Sequence, residues 1–114
     1  MPASETIQRW FAVNKGGGLI LPDGWFGGRP FDNELQLSSV NEGPNSLTII
    51  LDDKVTLMFQ CLASVVELDG ELVLSQFAKL SCDIEAYDKP TAHTEIVYID
   101  GEVRFVPMSH AVKR

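Results

Sequence analysis

Asp23 and Asp32 stand nine positions apart, and Arg29 lies between them, in the stretch L-P-D-G-W-F-G-G-R-P-F-D-N that ends at Asn33. Paired carboxylates are the minimum equipment for acid–base hydrolysis. In a segment this rich in glycine and proline the two can stand near or far. Asp32-Asn33 also has the chemistry to cap a turn, as Asx residues do. The same stretch carries Trp25, Phe26 and Phe31. Trp, Phe and Arg bury much area for little entropy and carry binding energy at interfaces. Arg29 against Trp25 or Phe31 would equally make a structural cation–π pair. Trp with Asp, Asn and Arg would suit a sugar ring, stacking on its face and fixing its hydroxyls. The composition permits each of these and selects none.

Elsewhere the chemistry is sparse. Cys61 with His93 has the residue types of a nucleophile and its base, but a cysteine between Phe59 and Leu62 reads as inert packing. His93 and His110 fall in a polar loop and a tail. Zinc sites show paired ligands at short spacing, and no such spacing is present, so no metal or other cofactor is expected. G-x-S-x-G, H-E-x-x-H, C-x-x-C and G-x-x-x-x-G-K do not occur, which removes the nucleophile-elbow, zincin, dithiol and phosphate-loop chemistries.

The aromatic stretch poses a structural conflict. Gly and Pro make it irregular, and irregular segments lie at the surface, whereas Trp and Phe favour burial. Either the rings plug a loop onto the core, or they form a patch offered to a partner.

The 114 residues fit one domain spanning 1–114, with 45% hydrophobic and 22% charged residues in the globular range. No apolar run reaches the ~18–20 residues of a membrane span. Met1-Pro2-Ala3-Ser4-Glu5 lacks the basic and apolar regions of a signal peptide, so the expected location is cytoplasmic. There Cys61 and Cys82 are expected reduced and buried. Sixteen acids against nine bases leave a net charge of −7, which argues against nucleic acid and anionic membranes as partners. Residues 67–102 hold nine acids and two lysines, either a solvated surface or a face for a basic partner.

The elements that must position these groups begin with one helix, residues 5–14. Ser4 is its expected N-cap, Glu5 lies in the first turn, and Ile7, Trp10 and Phe11 form one apolar stripe. Gly16 is the expected C-terminal stop. Gly16-Gly17-Gly18 reads as a hinge or tight connection, 19–21 as a short strand, Pro22-Asp23-Gly24 as a turn, and 22–34 as a structured loop.

From residue 35 to 107 the chain reads as β-hairpins. Strands are expected at 35–40, 47–51, 54–61, 63–68, 71–75, 78–86, 95–99 and 102–106. Residues 41–45 form a longer turn. Asp52-Asp53 as a two-residue loop would set Ile50 opposite Val55 and Thr48 opposite Leu57, leaving both faces partly apolar. Asp69-Gly70 is a type I′ signal, with Val65, Leu72 and Leu74 on one face and Val66, Leu68 and Val73 on the other. Asp100-Gly101 as the last hairpin loop would pair Tyr98 with Val103 and Ile96 with Phe105. Residues 108–114 read as a tail.

The expected fold is mainly β, an antiparallel, hairpin-rich sheet, sandwich or small partly open barrel with one N-terminal helix. The leading functional reading is a non-enzymatic, acidic binding or accessory protein acting through protein contacts, including self-association as a homodimer. The alternative is a domain for a small, carbohydrate-like ligand, extended to hydrolysis, that uses Asp23, Trp25, Phe26, Arg29, Phe31, Asp32 and Asn33.

Overall fold

In the computed structural model the described residues are 3–14, 17–25, 35–85 and 93–107, with residues 24, 25, 85, 93 and 94 described by backbone alone. Helix α1 spans Ala3–Asn14. Its apolar spacing buries Ile7, Trp10 and Phe11 as expected. It starts earlier than a Ser4 cap implies, so Ser4 lies inside the first turn. There its N–H donates to Glu42 Oε1 at 3.2 Å, and a carboxylate from a distant strand meets the orphan donor. At the other end Asn14 Nδ2 donates to the Trp10 carbonyl at 2.9 Å. Residues 15 and 16, where the helix stop was expected, lie outside the described residues. Among the described residues no helix is long and apolar enough to cross a membrane.

Ten strands follow: β1 (Gly17–Leu21), β2 (Gly24–Trp25), β3 (Leu37–Glu42), β4 (Ser46–Leu51), β5 (Val55–Gln60), β6 (Ser64–Leu68), β7 (Glu71–Ser75), β8 (Lys79–Glu85), β9 (His93–Tyr98) and β10 (Glu102–Pro107). Among the described residues they form two five-stranded antiparallel sheets, β2-β1-β10-β7-β6 and β3-β4-β5-β8-β9, and no closed barrel. Both sheets contribute to one core, which includes Leu19, Leu72, Leu74, Val103 and Phe105 from the first and Ile49, Leu57, Phe59, Leu80 and Cys82 from the second. α1 packs on β3 and touches β6, an edge strand of each sheet. Trp10, Phe11 and Phe105 form a ring cluster with centroids 4.9–6.2 Å apart.

One continuous ribbon runs through both sheets. Leu68↔Glu71, Ser64↔Ser75, Gln60↔Lys79 and Val55↔Ile84 are steps of one unbroken antiparallel register. β5-β6 and β7-β8 are therefore the two arms of one long hairpin closed by Asp69-Gly70, with φ 54° and 81° as a type I′ turn requires. The expected faces follow: Leu72 and Leu74 are buried in the core, while Val66 and Leu68 are exposed on the opposite face. Midway the ribbon bends from one sheet into the other. Cys61 (φ 56°) and Gln76 (φ 60°) take left-handed conformations at the bend, one in each arm. The Ala63 N–H donates to the Gln76 carbonyl at 3.0 Å and the Ala78 N–H to the Gln60 carbonyl at 2.8 Å, so the arms stay bonded through it.

Four expectations need correction. Gly17 and Gly18 form no hinge but belong to β1; a Cβ at Gly17 would stand 2.7 Å from Trp10 and 2.8 Å from the Val106 carbonyl oxygen, so the position is glycine because helix and strand approach closely there. The β4-β5 loop has three residues, not two, since Leu51 pairs with Val55. That one-residue difference sets Leu47, Ile49 and Leu51 on the same buried face as Val55, Leu57 and Phe59, with Thr48, Ile50, Thr56 and Met58 opposite. Burial is thus concentrated on one face instead of shared by two. β9 and β10 form no hairpin: β9 pairs with β8, and β10 pairs with β1 and β7 in the other sheet. Cys61 is exposed, not buried, because β5 ends at Gln60 before the next inward position.

Candidate functional site

The Pro22-Asp23 turn joins β1 to β2, with Leu21 paired to Gly24 and Ile20 to Trp25. It sits on the crossover from β9 to β10. Gly101 there has φ 128°, and a Cβ on it would lie 2.7 Å from Pro22 Cβ, so the two turns touch where only a glycine fits beneath the proline ring. On the same side the Tyr98 hydroxyl donates to Asp23 Oδ1 at 3.0 Å. Pro22 and Tyr98 are half-buried and Asp23 is exposed.

This geometry raises the pKa of two groups around the turn. Burial, then the hydrogen bond to Asp23 and its negative charge, push the Tyr98 phenol up to about 12. The Cys82 thiol, wholly buried in the core, is pushed up to about 11 by burial first and then by the charges of Asp83 and Asp23. Near neutral pH both groups keep their protons, so the cluster is a hydrogen-bonded carboxylate beside a neutral phenol and a neutral thiol. A protonated, buried thiol is a poor nucleophile.

Of the residues singled out in the sequence, Asp23 is brought to Tyr98, and Trp25 is placed on edge strand β2 as backbone. Phe26, Arg29, Phe31, Asp32 and Asn33 lie outside the described residues, as does His110. Cys61 and His93 are not brought together. Cys61 follows the Gln60 end of β5, whereas His93 pairs with Glu85 beyond the opposite end, about 20 Å away at the rise of a strand. The same register places Cys61 and Cys82 about four residue steps apart along the strand direction, beyond disulfide reach, and both thiols are free. Among the described residues no three His, Cys, Asp or Glu side chains converge as a metal site would require.

Part of the acidic segment is internally compensated. Arg104 on β10 donates to Glu102 at 2.7 Å and to the nearly buried Glu71 at 3.1 Å, and these bonds raise its pKa further. Sequence reasoning missed Tyr98 and Gly101 as partners of the turn. Asp23 and Tyr98 stand 75 positions apart, and no local pattern links residues on two different sheets. Compared with protein-family models, curated proteins and solved structures, the chain matches none.

Proposed function

We propose that the chain is a non-enzymatic acidic protein that works through protein contacts, with the segment leaving the Pro22-Asp23 turn as its contact surface. The observation that carries this reading is the clamp at the base of that segment. Gly101 under Pro22 and the Tyr98–Asp23 hydrogen bond fix where the segment starts. A segment whose starting point is held loses less entropy when it binds. Free thiols and a net charge of −7 fit a cytoplasmic protein whose partner is another protein or a second copy, and neither nucleic acid nor a membrane surface.

Substitution of Trp25 tests the reading, with Trp10→Ala as the core reference. Trp10→Ala is expected to cost about 3–5 kcal/mol, as large-to-small core changes do. Trp25→Ala is expected to melt near the wild type in denaturant while losing its protein partner in a pull-down. A Trp25 variant as unstable as the Trp10 variant makes the loop a structural plug and removes the reading. Quenching of tryptophan fluorescence by an oligosaccharide would assign the loop to a small ligand instead.

A further inference from the structure

A groove of about 260 Å³ runs between the last turns of α1 and the turn of the long hairpin, lined by Arg9, Trp10, Val13, Asn14, Glu67 and Gly70. The Trp10–Gly70 hydrogen bond ties its two walls together. Those walls differ in chemistry. On the helix side Val13 is 75% exposed, more than any other large apolar side chain among the described residues. On the hairpin side stand Glu67 and, in the turn itself, Asp69, both exposed. Neither carboxylate has an ion-pair partner among the described residues. Arg9, the cation of the groove, already has a partner of its own.

The chain leaves β10 beside this groove. Pro107, the last residue of β10, pairs with Gly17, one strand spacing of about 4.8 Å away. Gly17 in turn lies directly against Trp10. Met108-Ser109-His110-Ala111-Val112-Lys113-Arg114 follow, and at roughly 3.3 Å per residue they reach up to about 23 Å. An apolar residue, Val112, immediately precedes the basic pair Lys113 and Arg114. That order complements a groove in which an exposed valine stands across from two unpaired carboxylates.

We infer that residues 108–114 fold back into this groove as a strap across α1 and the hairpin, with Val112 on Val13 and with Lys113 and Arg114 beside Glu67 and Asp69. Tethering selects this occupant. A segment joined to β10 so near the groove is present there at an effective concentration of about millimolar, so a free segment of equal fit loses to it. Covering Val13 removes apolar surface from water, and the two cations offset the two carboxylates. The strap adds a second hold on the last turns of α1, next to the Trp10–Gly70 bond. It goes beyond the loop reading and does not depend on it.

The test uses the full chain, isotope-labelled for NMR. Wild-type protein is expected to show cross-peaks between the methyl groups of Val112 and Val13, and their absence overturns the inference. Lys113→Glu combined with Arg114→Glu should weaken those cross-peaks and shift the Glu67 and Gly70 amide resonances. Hydrogen exchange in the last turn of α1 should then quicken about two- to fivefold, the scale of exposed ion pairs. Adding Glu67→Arg to that variant should restore part of the contact, because opposite charges again face each other. A charge reversal without effect, or one that Glu67→Arg does not relieve, overturns the inference. So do cross-peaks that arise only between a labelled and an unlabelled chain, since the occupant is then the tail of a second copy. Should a variant fail to fold, the wild-type cross-peaks still decide. The outcome is separate from that of Trp25→Ala, because Trp25 lies on β2 at the other edge of the first sheet from β6.

Discussion

Trp10 lies against Gly17 more closely than any side chain at position 17 would allow. An added Cβ would meet Trp10 Cη2 at 2.7 Å and the Val106 carbonyl oxygen at 2.8 Å. The indole cannot retreat freely, because its Nε1–H donates to the Gly70 carbonyl at 2.9 Å and its ring packs on Phe11 and Phe105. One contact therefore joins α1, β1, β10 and the turn of the long hairpin.

Gly17→Ala is expected to destabilise the fold by about 1–3 kcal/mol, the usual range for overpacking. Gly43→Ala is the control. Its Cβ would meet the exposed Ser46 Oγ at 2.9 Å, a rotatable group that can swing away, so the change should stay within about 0.5 kcal/mol. Urea denaturation of the two variants checks the contrast, and equal midpoints would refute it.

At the bend of the ribbon, Gln76 holds φ 60° with an exposed side chain. That conformation costs an L-residue roughly 1–2 kcal/mol, and glycine gives back about 0.5–1 kcal/mol through its freer unfolded state. Gln76→Gly should therefore raise stability by about 0.5 kcal/mol, and Gln76→Val should lower it, being β-branched in a left-handed conformation. A Gln76→Gly variant less stable than the wild type would count against the bend as described.

The two thiols are expected to differ in reaction with a disulfide reagent. Cys61 is exposed and Cys82 is buried, with its thiol held protonated. Native protein should release one equivalent promptly and the second only with denaturant. Cys61→Ser should abolish the prompt phase, and a prompt phase that survives it would show Cys82 to be accessible.

Stability should decline at alkaline pH. Cys82 is raised from 9.0 to about 11 and Tyr98 from 10.0 to about 12 on folding. Between the unfolded and folded values the unfolded chain sheds these protons first, so it binds fewer than the native state and stability falls as pH rises. The contribution is fully present below pH 9 and is lost between about 9 and 12. Tyr98→Phe should flatten the upper part of this decline while costing about 1 kcal/mol at neutral pH for the lost bond to Asp23. Melting temperatures across the range provide the measurement.

Local signals were legible wherever the physics was local. The spacing of Ile7, Trp10 and Phe11 marked the buried face of α1. Asp69-Gly70 announced a turn needing two positive φ values, and because strand side chains alternate, that turn also set which side chains of β6 and β7 face inward. The same turn closes the register of the whole ribbon out to Val55↔Ile84.

Tertiary structure decided the rest. Asp52-Asp53 resembles a two-residue loop, but including Lys54 aligns six apolar side chains on one buried face, and their burial selects the longer loop. Asp100-Gly101 resembles Asp69-Gly70, yet its flanking strands enter different sheets. A turn residue specifies that the chain reverses or bends; it does not specify which strand will be waiting on the other side. Asp23 was conspicuous by its place in the glycine-rich stretch, whereas its partner Tyr98 was not, since their meeting depends on how two sheets stack. Periodicity and turn chemistry act over a few residues and so can be read in order along the chain. Sheet membership and the contacts between turns follow from the burial of the whole apolar set at once, and that is settled only when the chain is folded.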